Sequence, residues 1–399
     1  MQKENTTFHE HREEGRIVGR CRVLFVIRAL AYGGAERQLI ELVRAMDKER
    51  FQITLATFYN AGKLGNEARA IAGIRVVSLH KKGRWDLASF LFRFVRLVRQ
   101  IRPDIVHGYM GTSNELALLA RWLIGARAVW GIRGSKANPD VYHDWVRHLS
   151  QWTERKLSRF ADCIIVNSRA GRDDHLREGY EGSRMKVISN GIDTARFIPD
   201  PRAGLEIRRE WEVPIGTPLI GLVARVDPMK GHTVFLKAAA LMASRRPEVR
   251  FACIGDGAQS YRDRLMALSE ELGLRDCLAW HPARRDIEAV YNALTVVTSS
   301  STFGEGFSNV VGEAMACGRP VAATDVGDAA MIGGGLAVIV PRGSPEKLAG
   351  AWEQLLDEPA DVSLARTTMG RERISAEYGM ARLAGRTEAA LLEILPCQK

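Results

Sequence analysis

Thirteen short apolar runs, spaced by longer amphipathic stretches, decide what this chain can become. Seven lie before residue 200: VLFVI from 23, ITLAT from 53, IRVVSL from 74, DIVH from 104, AVWGI from 128, CIIVN from 163 and KVIS from 186. Six follow the stretch IPDPRAGLEIRREWEVPIGTP: LIGLVA from 219, RFACIG from 250, LAW from 278, LTVVTSS from 294, PVAAT from 320 and LAVIV from 336. Runs without polar alternation fit strands buried on both faces, and helix-length spacers demand parallel neighbours joined by right-handed crossovers. The expected fold class is α/β: two doubly wound domains with a cleft between them and a boundary near 195–215. A chain of 399 residues exceeds what one hydrophobic core usually serves, which agrees. The expected divisions are a flexible tail over 1–20, a first domain over 21–200 and a second over 201–375. The helical pattern over 376–399 has no strand after it and is expected to cross back onto the first domain.

With 46% hydrophobic and 26% charged residues the chain falls in the globular range, which excludes disorder, collagen and coiled coil for most of its length. No run approaches 18 apolar residues, and MQKENTTFHEHREEGRIVGR has no apolar centre, so neither a membrane span nor a secretory signal is expected. A cytoplasmic protein follows. Six scattered cysteines without a CxxC pair predict buried reduced thiols, and His9 and His11 lack a third ligand, so no metal site is expected. Residues 1–200 carry 34 Lys and Arg against 22 Asp and Glu, so the positive excess belongs to the first half and suggests an anionic partner.

Ligands of open parallel sheets collect at the carboxyl ends of strands, so the loops there carry the chemistry. The strongest lies in SSSTFGEGFSNVVGEAMACGRPVAAT (299–324), where a Gly-rich turn leads into a helix expected from Asn309 to Ala316. Glu305 and Glu313 stand eight positions apart, about two helical turns, and flank the backbone N–H groups of Phe307, Ser308 and Asn309. Such a helix start suits a phosphate, and carboxylates beside it suit sugar or ribose hydroxyls. In GLVARVDPMKGH (221–232), Arg225 and Lys230 flank a turn where two cations can hold a diphosphate. Gly33 and Gly34 in ALAYGGAERQ allow close backbone approach before a helix. Gly255-x-Gly257-x-x-Ser260 falls short of a dinucleotide fingerprint, because Ser replaces the third glycine and no acidic residue ends the next strand. His107 is expected at a strand end with Tyr109 beside it.

Together GGAE, NGID, ARVDPMKG, IGDG and GEGFSNVVGEAMACGRPVAATDVG resemble the retaining glycosyltransferases of family 4, whose GT-B fold pairs two Rossmann-like domains. The resemblance spans nearly the whole chain after residue 20. It implies that Glu313 holds the ribose of a nucleotide-diphosphate sugar donor and that Glu305, with the backbone of Phe307 and Ser308, holds the sugar. It further implies that Arg225 and Lys230 clamp the diphosphate, that Gly34 approaches it from the other domain, and that the loops at Gly255 and Arg284 border the base. Where many members have HxH, this chain has His107 and Tyr109, so either residue is a candidate for the sugar contact. The resemblance implies a metal-independent enzyme without cofactors, since there is no DxD, acting on a glycan or lipid-linked acceptor.

The segment KKGRWDLASFLFRFVRLVRQIRP (81–103) spaces Leu87, Phe90, Leu91, Phe94, Leu97, Val98 and Ile101 helically, with Arg93, Arg96, Arg99 and Arg102 at every third residue. A basic amphipathic helix fits docking on an anionic membrane surface at the inner face, and the same stripe fits a helix covering a sheet. Three other functions remain weaker on the residues. A nucleotide-sugar epimerase or hydrolase would need an acid and base pair around the sugar, and an NAD oxidoreductase would need a complete fingerprint. A nucleic-acid-binding protein would show aromatics interleaved with basic residues, so no nucleic acid partner is expected.

Overall fold

The computed structural model describes residues 19–396 apart from 32, 61, 63, 84 and 136–151. Nearly all of the expected tail, with His9 and His11, and also Arg84 and Cys397, lie outside the described residues. All thirteen apolar runs are strands. β1 (Cys21–Ile27), β2 (Phe51–Thr57), β3 (Ile74–Ser78), β4 (Ile105–Tyr109), β5 (Arg127–Ile132), β6 (Cys163–Val166) and β7 (Met185–Val187) form the first sheet in the order β3-β2-β1-β4-β5-β6-β7. β8 (Leu219–Val223), β9 (Arg250–Ile254), β10 (Leu278–His281), β11 (Val296–Ser299), β12 (Val321–Thr324) and β13 (Val338–Val340) form the second in the order β10-β9-β8-β11-β12-β13. Every ladder is parallel.

Burial on both faces explains the apolar runs. In β1, Val23, Phe25 and Ile27 enter one helix-covered core while Leu24 and Val26 enter the other. Each sheet reverses its winding direction once, between β1 and β4 and between β8 and β11, and loops diverge at those two switch points to leave a crevice. The loops singled out from the sequence (29–38, 221–232 and 299–308) leave the strands β1, β8 and β11 that flank these switch points.

Five cysteines, Cys21, Cys163, Cys253, Cys277 and Cys317, are free thiols. The chain leaves the second sheet through the helix Ala360–Tyr378, and the helix Met380–Glu393 places Leu383, Ala384, Ala390 and Leu391 in the core of the first sheet. The N–H of Ile192 donates to the Tyr378 carbonyl at 2.7 Å, pinning this crossing to the NGID turn.

The basic helix spans Ala88–Ile101 and ends where Arg102 turns left-handed (φ 43°) before Pro103. Phe90, Phe94, Leu97 and Val98 are buried in the sheet core, so most of the apolar stripe covers the sheet. Arg93 also turns inward, its Nε donating to the Leu79 carbonyl and its guanidinium pairing with Asp86, both at 2.6 Å. What faces outward is a second set: Trp85, Leu87, Leu91 and Phe92, beside Lys82 and Arg96.

Candidate active site

The loop after β8 is drawn onto the loop after β11 by a glycine with no substitute. Gly231 has φ 66°, and a Cβ there would lie 1.9 Å from the Ser300 carbonyl oxygen. Ser300 Oγ donates to the Lys230 carbonyl at 2.9 Å, and the Thr302 N–H donates to the Met229 carbonyl at 2.9 Å. Asp227 caps the turn, accepting from the Met229 N–H at 3.0 Å. This zipping brings the Lys230 ammonium onto the Glu305 carboxylate, which also accepts from Ser301 Oγ at 2.6 Å. Glu305 is nearly buried, whereas Arg225 is largely exposed and pairs with Asp227 at 3.1 Å.

The expected helix runs from Asn309 to Ala316, and no side chain caps its first N–H groups. Uncapped donors with the positive end of the helix dipole are a ready anion seat. The Phe307 ring packs on Tyr378 in the core, with centroids 5.4 Å apart, which leaves its backbone to serve a ligand. Opposite stands the helix Gly34–Ala45 of the first sheet: a Cβ on Gly34 would lie 3.4 Å from Asn309 Nδ2. Asn190 Nδ2 donates to Asn309 Oδ1 at 2.9 Å from the same side. Two helix N-termini, one from each sheet, therefore converge.

Glu313 sits one turn further along and accepts from the Tyr291 hydroxyl at 2.7 Å. Burial raises its pKa, against the pull of the Tyr291 hydrogen bond and of Arg196. With Gln38, Gly191, Arg196 and Arg284 it lines a pocket of about 190 Å³ between the sheets. Arg284 is held by Asp286 and Glu210. Gly255 packs the β9 loop against the Arg225 loop: at φ 148° its Cβ would meet the Ala224 carbonyl at 1.9 Å.

Residues 32–196 match the model of Glycosyltransferase Family 4, and residues 217–358 match that of Glycosyl transferases group 1. The D-inositol 3-phosphate glycosyltransferase of Corynebacterium jeikeium is 30% identical over 301 residues, covering 70% of this chain and 71% of that protein. The chain belongs to glycosyltransferase family 4. The Thermobispora bispora protein of the same name is 30% identical over 335 residues, covering 78% and 76%. In fold, this family 4 enzyme matches HepE of Anabaena, crystallised with UDP and glucose, at a TM-score of 0.82 with 20% identity, covering 94% of this chain and all of that one. The architecture is GT-B.

Within this glycosyltransferase, two placements differ from the sequence expectation. His107 lies on β4 with its ring among Phe25 and Tyr109, fully buried, and neither ring nitrogen has a partner. Burial, then the charge of Arg133, pushes its pKa well down, so the imidazole is neutral. Tyr109 is equally buried. The strand-end rule located both residues but not their burial among the side chains of β1 and β4.

Two residues that the sequence did not single out sit where segments of the two sheets meet. Arg133, immediately after β5, lays its guanidinium 4.3 Å from the centre of the Tyr109 ring. Asp328 accepts from the N–H groups of Arg169 and Ala170 at 2.8 and 2.9 Å, capping a first-sheet helix (Arg169–Arg177) from the second sheet. Strand-end position would have flagged Arg133; Asp328 had no sequence signal.

Proposed function

We propose that this glycosyltransferase moves a hexose from a UDP-sugar to an acceptor hydroxyl with retention of anomeric configuration. The observation that carries the reading is the convergence of two helix N-termini, at Gly34 and Asn309, beside Lys230 and Arg225. A diphosphate seated there would meet uncapped N–H donors and two cations. Glu313 would accept from the ribose hydroxyls and Glu305 from the sugar. HepE, whose fold this chain shares, was crystallised with UDP, with UDP and glucose, and with UDP-glucose, which favours uridine as the base.

Bond breaking between the anomeric carbon and the phosphate oxygen places negative charge on the leaving diphosphate and oxocarbenium character on the sugar. Preorganised cations and helix N–H groups stabilise the first directly. The acceptor oxygen bonds to the anomeric carbon on the face the phosphate leaves, and its proton passes to a phosphate oxygen. No protein nucleophile takes part.

The segment over 201–375 would serve as the donor domain and the first domain, 21–200 with the last helix, as the acceptor side. The acceptor would be a lipid-linked or glycan precursor in the cytoplasm, reached from the inner face of an anionic membrane. Exposed Trp85, Leu87, Leu91 and Phe92 with Lys82 and Arg96 provide the apolar and cationic groups such a surface requires. No helix among the described residues is long and apolar enough to cross a membrane. The relatives named D-inositol 3-phosphate glycosyltransferases favour a phosphorylated polyol as a soluble acceptor to be tried alongside.

Incubation with UDP-glucose, with and without candidate acceptors and with EDTA, tests the reading through the product's anomeric proton coupling. Transfer with an α-linked product in EDTA supports it. A β-linked product, an isomerised donor or an absolute need for Mg²⁺ contradicts it.

A further inference from the structure

Resting on the reading of this cleft as the sugar-transfer site, we propose that Arg133 selects a substrate carrying an anionic group outside the donor diphosphate, a carboxylate or a phosphate monoester. A Cβ on Gly131 would lie 2.9 Å from the Gly108 carbonyl and 3.4 Å from His107 Nε2, so β4 and β5 lie close here. That packing delivers Arg133 to the carboxyl end of β5 and places its guanidinium over Tyr109, 4.3 Å from the ring centre. Stacking fixes the plane of the guanidinium, which leaves its fork of N–H donors in a set direction.

Charge is the second observation. Lys230 is paired with Glu305 and Arg225 with Asp227. Arg133 has no carboxylate partner among the described residues, and its buried Nε has no acceptor. A partly buried cation without a counter-charge is costly unless a ligand supplies one. The neighbouring backbone shows which loop the guanidinium lies beside. The Ser135 N–H faces the Gly304 carbonyl at 3.4 Å, and a Cβ on Gly134 would lie 3.5 Å from the same oxygen. Arg133 therefore stands on the acceptor side, against the loop that presents Glu305.

Carboxylate and phosphate monoester share the planar or tripodal oxygens that a guanidinium fork binds. The anion has two possible sources, the sugar of the donor or the acceptor, and the experiment has an arm for each. The donor arm compares UDP-glucuronate with UDP-glucose by calorimetry. The acceptor arm titrates inorganic phosphate, and glycerol as its uncharged counterpart, into the UDP-saturated protein. In the parent, one arm shows a preference for the charged probe of roughly tenfold or more, the size expected for a charged hydrogen-bonded pair. Arg133→Gln abolishes that preference, Arg133→Lys retains part of it, and UDP itself binds all three proteins alike. UDP binding without an Arg133-dependent preference in either arm overturns this proposal alone. So does an equal loss of UDP in Arg133→Gln, which would put the residue in the diphosphate clamp. Failure of the parent to bind UDP overturns the donor reading and this proposal with it.

Discussion

The ammonium of Lys230 is paired with the carboxylate of Glu305, seventy-five residues away, and the Ser301 hydroxyl donates to the same oxygen. Each group neutralises the other before substrate arrives. In the proposed site a donor diphosphate would give Lys230 a second anion, whose charge would grow as the sugar–phosphate bond breaks.

Lys230→Ala should therefore depress kcat by on the order of 10²-fold or more, and raise the donor KM far less. Arg225→Ala should act in the same direction. Steady-state kinetics on folded protein checks both. A variant whose KM rises while kcat holds would show that these cations bind the ground state only.

The two sides of the cleft meet closely at Gly306. A Cβ there would lie 2.6 Å from Asn167 Oδ1, 3.0 Å from Ser168 Oγ and 3.2 Å from Gly134 Cα, all on the first-sheet side. Gly306→Ala should hold the domains apart, lower kcat and enlarge the radius of gyration by small-angle scattering. Asp328→Ala, which takes the acceptor from the Arg169 and Ala170 N–H groups while Ser168 still caps the helix Arg169–Arg177 through the Gly171 N–H, should do the same and cost about 1 kcal/mol of stability. Unchanged scattering with full activity in both would remove the closure argument.

Buried His232 sets a pH limit. Burial, then the nearby Lys230, lowers its pKa from 6.5 to about 4. The unfolded chain thus takes up the proton first, and stability falls as pH drops from about 6.5 towards 4. The slope is about 1.4 kcal/mol per pH unit for one group, near 3 kcal/mol in all. Its ring lies parallel to Trp280, so His232→Phe keeps the stacking. Denaturant titrations across this range should give the variant the shallower slope. Parallel curves for parent and variant would refute the assignment.

Strands were legible because burial on both faces leaves an unbroken apolar run, as in VLFVI. The donor loops were legible because Gly231, Gly304 and the helix at Asn309 are local features. What the sequence hid was juxtaposition. Asp328 matters through the N–H groups of Arg169 and Ala170, far off in sequence, and no local pattern marks it; Arg133 stands at a strand end, but its nearness to the Gly304 loop is visible only in the fold. The burial of His107 was not legible either, because its facing depends on β4 lying between β1 and β5. The stripe of the helix Ala88–Ile101 fitted two surroundings, and only the sheet beneath it decided that Phe90 and Phe94 point inward.

The central claim is a nucleoside diphosphate seat between Gly34 and Asn309 with Glu313 on the ribose. Melting curves with UDP, GDP, ADP and CDP test it most directly. One of them, UDP by this account, should stabilise the parent by about 2.7 kcal/mol at a hundred times its Kd, and Glu313→Ala should lose most of that gain. A parent protein whose melting temperature ignores all four nucleotides would contradict the claim.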